Sequence, residues 1–360
     1  MPVNHIELFS GIGGFRYAMD LLHRDFGVQF GNIGFSELEP NAISTYRCNF
    51  ATNDEIEIGD IVSFVNAKRG IKGLPSFDLL TGGFPCQAFS MMGKQKGFDD
   101  LRGNVFFKIL EIIKIKKPKF ILLENVKNIV THNKKETFRT ILESIEDVGY
   151  KYIYYDIFNS NNFALAQTRN RVFIFASRKR LPKDFTFDCD SIVSSFLRVF
   201  EQSSVLKQKY TYEVLEKDVD KKYYLSEIIK PTILSNGTKN FKSKSDIDQL
   251  IARPLTATMA KMHRACQDNY FSDDYIQAID PLGYSQMQFS KDELAKKCIR
   301  RITPKEAFNL QGFDDVFFHN AKKAMISDSQ LYKQAGNAVS VNTVYAILHY
   351  LFVESGIMEV

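Results

Sequence analysis

Between His5 and about Arg180, short apolar runs alternate with stretches of helical periodicity, and this alternation constrains the fold more than any other property of the chain. The runs at His5 to Phe9, before Glu37, before Gly59-Asp60, at Phe77 to Leu80, Phe120 to Val126 and Val172 to Ala176 have strand length. The patterns through Leu22, over Val105 to Lys116 and over Phe138 to Val148 repeat apolar residues at helical spacing. Strands alternating with helices predict an α/β fold with a doubly wound parallel sheet, buried on both faces. Ligands of such sheets bind beyond the carboxyl ends of the strands.

The chemistry-bearing residues fall at those ends. Gly83-Phe84-Pro85-Cys86-Gln87-Ala88 puts Cys86 in the loop leaving the fourth run. A cysteine placed there is either an inert small hydrophobe or a nucleophile. The next run ends in Glu124, which would face Cys86 along the same edge. By itself such a carboxylate can pair with a lysine or cap a helix; beside a thiol, a catalytic role gains weight. Gln167-Thr168-Arg169-Asn170-Arg171 alternates polar residues toward one face, or forms a solvated arginine-rich edge.

At the N-terminus, Ser10-Gly11-Ile12-Gly13-Gly14 links the first run to a helical pattern, and glycines there let the backbone approach a ligand. The turn lacks the full dinucleotide fingerprint. Glu37, at the end of the second run, is placed to hold ribose hydroxyls. Asp60 can accept from the exocyclic amine of an adenine, although Gly-Asp pairs are also ordinary turn chemistry.

In order along the chain, Phe9-Ser-Gly-Ile-Gly-Gly14, Glu37, Gly59-Asp60, Gly83-Phe-Pro-Cys-Gln87, Glu124-Asn-Val126, Gln167-x-Arg-x-Arg171, Arg301-x-x-x-Pro-x-Glu306, Gln311-Gly-Phe313 and Gln334-Ala-Gly-Asn-Ala-Val339 resemble the motifs of bacterial DNA (cytosine-5)-methyltransferases of restriction-modification type. The match runs from Phe9 to Val339, apart from a segment between about Asp188 and Arg300. The resemblance implies a catalytic domain over residues 1–187, completed by 325–360, and a smaller target-recognition domain over 188–324. It also implies S-adenosyl-L-methionine as methyl donor, S-adenosyl-L-homocysteine as product, and double-stranded DNA as substrate.

On that resemblance, Cys86 attacks C6 of a cytosine, Glu124 serves N3, Arg169 holds the O2 side of the base, and Gln167 and Arg171 support the pocket. Asn125 orients the loop bearing Pro85. A thiolate must be favoured at Cys86, and a carboxyl that donates to N3 needs a raised pKa. Phe9, Ser10, Gly11, Gly13, Gly14, Glu37, Asp60, Ile61, Pro85, Asn337 and Ala338 are the expected cofactor contacts. The target base must leave the duplex, and the Phe89 to Gly103 loop, hinged by glycines, is the expected lid. Ser90, Met92, Gln95, Arg102 and Thr256 are the expected DNA contacts, with Thr256 in the anchor Arg253-Pro-Leu-Thr-Ala-Thr258. Met92, where relatives often carry serine, acts either as an apolar wedge or as lid packing. A tRNA cytosine-5 methyltransferase is the alternative of the same fold. A non-catalytic DNA-binding relative would lose the thiol or carboxylate, and an oxidoreductase rests on the glycine turn and Glu37 alone.

Composition sets outer bounds. The 360 residues, 44% apolar, suffice for a large core plus a smaller lobe. Five scattered cysteines and six unclustered histidines argue against a disulfide framework and against a metal site, and point to a reducing cytoplasm. No apolar run reaches the roughly eighteen residues that span a bilayer, so no membrane partner is expected. A net charge of +5 suits a polyanionic partner. The expected state is a monomer, with any cognate restriction endonuclease acting separately.

Overall fold

The structure is a computed structural model that describes residues 2–85, 105–238, 241–242 and 244–358. It divides into two compact units. The first comprises Met1–Asn159, Asn170–Val205 and Thr343–Val360, and the second Ser160–Arg169 with Leu206–Asn342. These boundaries differ from the expected ones: residues 188–205 fall in the first unit, and 160–169 and 325–342 in the second.

The first unit is built on seven strands: β1 (Val3–Leu8), β2 (Phe30–Ser36), β3 (Ile56–Glu57), β4 (Leu79–Gly83), β5 (Phe120–Val126), β6 (Tyr152–Asn159) and β7 (Asn170–Ser177). They lie in the order β3-β2-β1-β4-β5-β7-β6. β1 pairs in parallel with β2 and β4, and β4 with β5. β7 instead runs antiparallel to both β5 and β6, which corrects the expectation of a wholly parallel sheet. The cause is the short Ser160–Arg169 connection, since a parallel crossover needs roughly a dozen residues or more. β6 itself was not anticipated; most of its side chains are only half-buried, and its apolar period is weak.

Alternation along the strands sorts two faces. Ile6, Leu8, Leu80, Ile121, Leu123, Val172 and Ile174 share one core with Phe106, Ile109 and Ile113 of helix Val105–Lys116 and with Phe138, Ile141 and Ile145 of helix Glu136–Asp147. The apolar residues of those helices recur every three or four positions, which turns one stripe onto the sheet. On the opposite face, Phe120 and Phe175 stack on each other, and Phe175 meets Phe185 and Phe187. The fold is therefore a doubly wound α/β sheet with a reversed strand beside its edge.

The second unit is smaller and poorer in regular structure. It holds the hairpin Tyr270–Ser272 with Ile299–Arg301 and the helices Pro304–Asn309, Asp315–Lys323 and Asp328–Asn337. Arg300 and Glu306, both fully buried, form a two-point ion pair at 2.7 and 2.9 Å that ties the hairpin to the first of these helices.

Candidate active site

Strands β3, β2, β1, β4 and β5 are neighbours, so the segments leaving their carboxyl ends share one edge of the first unit. After β1 the chain turns sharply, with Phe9 at φ 55, Gly11 at φ 55 and Gly13 at φ 87. Gly13 is required twice over: its φ is left-handed, and a Cβ there would lie 2.3 Å from the Phe50 ring. Among the described residues, apart from its chain neighbours, no atom lies within 4 Å of where a side chain on Gly11 would begin.

Glu37 braces this turn. One carboxylate oxygen accepts from the Gly11 N–H at 2.9 Å, and the other accepts from Leu38 and Glu39 N–H at 2.7 and 2.8 Å. A carboxylate offers about four acceptor directions, so one remains for a ligand hydroxyl. Asp60 caps helix Ile61–Asn66 through Val62 and Ser63 N–H. The Ser63 hydroxyl, at 2.6 Å, holds the Asp60 carboxyl below the usual range. Ile61 is buried, which leaves its backbone as the part that a ligand can reach. An open glycine turn flanked by two carboxylates suits a cofactor that carries a ribose and an adenine.

Beneath the turn lies a buried polar set that the sequence reading passed over. His5 and Glu7 alternate with Ile6 and Leu8 on β1 and point away from the apolar core. His5 Nε2 is 2.8 Å from Thr81 Oγ, and its Nδ1 is 2.9 Å from the Asn32 side-chain amide. Burial lowers the His5 imidazole to about 3. Burial likewise pushes the Glu7 carboxyl up to about 8, against the pull of Arg16. Neither Glu7 oxygen makes a well-formed hydrogen bond among the described residues. Polar residues on alternate positions of an apolar strand were the available signal.

Beyond β4, Phe84 is buried, and its carbonyl accepts from the buried Asn125 amide at 2.8 Å. The contact joins the segment leading to Cys86 with the end of β5. Glu124, 9% exposed, pairs in register with Gly83, where a Cβ would come within 3.0 Å of a Glu124 oxygen. Its other carboxylate oxygen lies 2.9 Å from Arg171 Nε. Cys86 and the expected DNA contacts Ser90, Met92, Gln95 and Arg102 lie outside the described residues.

The arginine motif divides between two tasks. Arg169 is 3% exposed; its guanidinium donates to the carbonyls of Leu255 at 2.9 Å, Gly336 at 3.0 Å and Ala338 at 2.8 Å. These bonds commit both terminal nitrogens of its guanidinium inside the second unit. Gln167, fully buried, donates to the Leu310 carbonyl and accepts from Leu255 N–H, both at 2.9 Å, so its part is also internal. Arg171 is the member that meets the carboxylate.

Asn337, exposed, and Ala338, buried, end helix Asp328–Asn337 in the second unit. The Thr256 hydroxyl accepts from Arg264 at 2.6 Å, and Asp268 holds the same guanidinium at 2.6 Å. Among the described residues no group of three or more histidine, cysteine, aspartate or glutamate side chains is disposed to hold a metal, and no helix is long and apolar enough to cross a membrane.

The sheet and its edge define the α/β fold of S-adenosylmethionine-dependent methyltransferases. Within that class the chain belongs to the C-5 cytosine-specific DNA methylase family, whose profile matches residues 3–352, and it is a DNA (cytosine-5-)-methyltransferase. It is 36% identical over 343 residues to the Type II methyltransferase M1.ScrFI of Lactococcus lactis subsp. cremoris, covering 95% of this chain and 76% of that one. It is 30% identical over 436 aligned positions to the orphan methyltransferase M.SPRI of Bacillus phage SPR, covering 96% of both. The fold of Entamoeba histolytica methyltransferase EhMeth matches with a TM-score of 0.72 at 22% identity, over 98% of each chain. Family membership implies S-adenosylmethionine as the methyl donor.

Proposed function

We propose that the chain methylates C5 of a cytosine flipped out of duplex DNA, through a covalent adduct with Cys86. The observation that supports this reading is the bond from Asn125 to the Phe84 carbonyl, which joins the end of β4 to the strand that carries the Glu124–Arg171 pair. Cytosine C5 becomes nucleophilic only after a thiolate adds at C6. The Cys86 sulfur forms a bond to C6, and the electron pair of the 5,6 double bond moves onto C5 and the conjugated ring. Glu124 meets N3 and stabilises that charge, held in place by Arg171. When bound, S-adenosylmethionine supplies the methyl group to C5. Loss of the C5 proton to a base then expels the Cys86 thiolate from C6 and restores the double bond.

The turn Phe9 to Gly14, with Ser10, Gly11 and Gly13, is proposed to hold the donor together with Glu37 on its ribose, Asp60 and the Ile61 backbone on its adenine, and Pro85, Asn337 and Ala338. Residues 188–324 are proposed to read the DNA, with Thr256 as a contact once Arg264 releases it. Ser90, Met92, Gln95 and Arg102 complete the proposed DNA surface. The biological role is modification of host or phage DNA in a restriction-modification setting, carried out by a metal-free cytoplasmic monomer.

Tritiated S-adenosylmethionine supplied with duplex DNA or with tRNA tests the substrate. Label is expected in DNA, and label in tRNA alone would replace this reading with the RNA alternative. Duplex DNA carrying 5-fluorocytosine at the target should trap a protein–DNA adduct at Cys86, because fluorine cannot leave as a proton does. Absence of the adduct by mass spectrometry, with normal DNA still methylated, would overturn the covalent route.

A further inference from the structure

Directly after β5 the chain forms a 3-10 turn, Lys127–Val130, and then an irregular turn, His132–Lys135, before helix Glu136–Asp147. This flap is rooted at the catalytic edge, because Val126 pairs with Arg171 and Glu124 lies two residues earlier. Ile129 is its buried anchor, and the His132 ring is fixed 2.7 Å from the Thr137 hydroxyl. Val126, Lys127, Asn128, Thr131, Asn133, Lys134, Lys135 and Glu136 are all exposed.

Two features set the flap apart from an ordinary solvated loop. Asn133, Lys134 and Lys135 occupy left-handed backbone conformations in succession, at φ 47, 54 and 74. Glycine or asparagine is the usual residue there, and lysine is strained. Lys134 and Lys135 also stand at the N-terminal end of helix Glu136–Asp147, where the helix dipole disfavours a cation. Among the described residues neither they nor Lys127 forms an ion pair. The flap's single carboxylate, Glu136, accepts instead from the Asn133 amide at 2.9 Å. Three cations are thus kept uncompensated, two of them against backbone and dipole preference, on a segment anchored beside Glu124. Such local strain persists where function maintains it.

We propose that Lys127, Lys134 and Lys135 form a contact patch for the phosphodiester backbone of the DNA substrate. The patch rests on the DNA-methyltransferase reading and extends it to residues outside the sequence motifs. Lysine acts here as a point charge on phosphate, so the patch contributes affinity and register rather than base choice.

The test uses the full chain carrying Lys127→Ala, Lys134→Gly and Lys135→Gly together. Glycine accepts positive φ, so the thermal midpoint should hold or rise while DNA binding weakens. Each lost phosphate contact lowers the slope of log affinity against log salt by about 0.9, so three contacts remove about 2.7. The affinity advantage of the wild type should then shrink by roughly 40-fold between about 50 and 200 mM salt. Lys134→Arg with Lys135→Arg should restore most of the slope, and the ranking of duplex sequences should not change. An unchanged slope in the folded triple variant would overturn the patch. A wild-type chain without measurable affinity for duplex DNA would bring down the functional reading beneath it.

Discussion

Arg169 and Arg171 stand two residues apart in one motif, yet their surroundings differ entirely. Arg169 is spent on three backbone carbonyls from two distant segments of the second unit, whereas Arg171 lies on β7 of the sheet and meets one carboxylate. A guanidinium is suited to both tasks, being planar, permanently charged and rich in donors. The contrast teaches that an arginine's role is set by whether its acceptors are already satisfied, not by its place in a motif.

The largest expected effect tests the Arg169 half. Arg169→Ala leaves the Leu255, Gly336 and Ala338 carbonyls buried without their donor and should destabilise the fold by about 3–5 kcal/mol. Arg169→Lys should recover little, since an ammonium cannot span the same fork. Chemical denaturation measures both, and a loss below about 1 kcal/mol for the alanine variant would erase the distinction.

Arg171→Ala is the converse. Methyl transfer should fall about 100-fold, the scale of losing a charged group that acts at the reacting centre. Stability should fall by about 1–3 kcal/mol, because both side chains are largely buried and Glu124 loses a charged partner. Single-turnover kinetics beside a melting curve separates these effects. Equal damage from the two arginine variants in both assays would show that the motif acts as one structural block.

Much of the edge was legible from residue order alone. Strand lengths, the glycine turn and the carboxylates at strand ends are local signals, and they place Glu37, Asp60, Glu124 and Pro85 on successive strand exits. The fate of Arg169 was not, because its acceptors lie at residues 255, 336 and 338, and no period in the sequence links them. Alternation suggested that Gln167, Arg169 and Arg171 share a face. The chain leaves the sheet between β6 and β7, however, and Gln167 bridges to Ala252 instead.

The buried pair on β1 sharpens the comparison through pH. Glu7, raised to about 8, keeps its proton in the folded state while an unfolded chain loses it near 4.5, so its contribution is full below about 4.5 and is lost as pH rises toward 8. His5, lowered to about 3, works in the opposite sense: its contribution is present above about 6.5 and is lost as pH falls toward 3. Glu7→Gln should therefore raise the melting temperature at pH 8 and leave it nearly unchanged at pH 4. A parallel offset at every pH would indicate packing rather than protonation.

The smallest effects concern Asp60 and Glu37. Asp60→Ala removes a helix cap worth about 1 kcal/mol and should weaken S-adenosylmethionine binding in calorimetry by about the same amount. Glu37→Ala also frees the Gly11 N–H and should cost about 2 kcal/mol of cofactor affinity. The reverse ranking would make Asp60, rather than the brace at Glu37, the main determinant of the pocket.

The division of the chain has a consequence for exchanging specificity between relatives. The backbone passes from one unit to the other four times, at residues 159/160, 169/170, 205/206 and 342/343. The Leu255 carbonyl takes its donor from Arg169, which lies in a separate stretch of the chain. Ser160–Arg169 and Leu206–Asn342 together make up the second unit, so a transplant that keeps this unit whole carries both stretches.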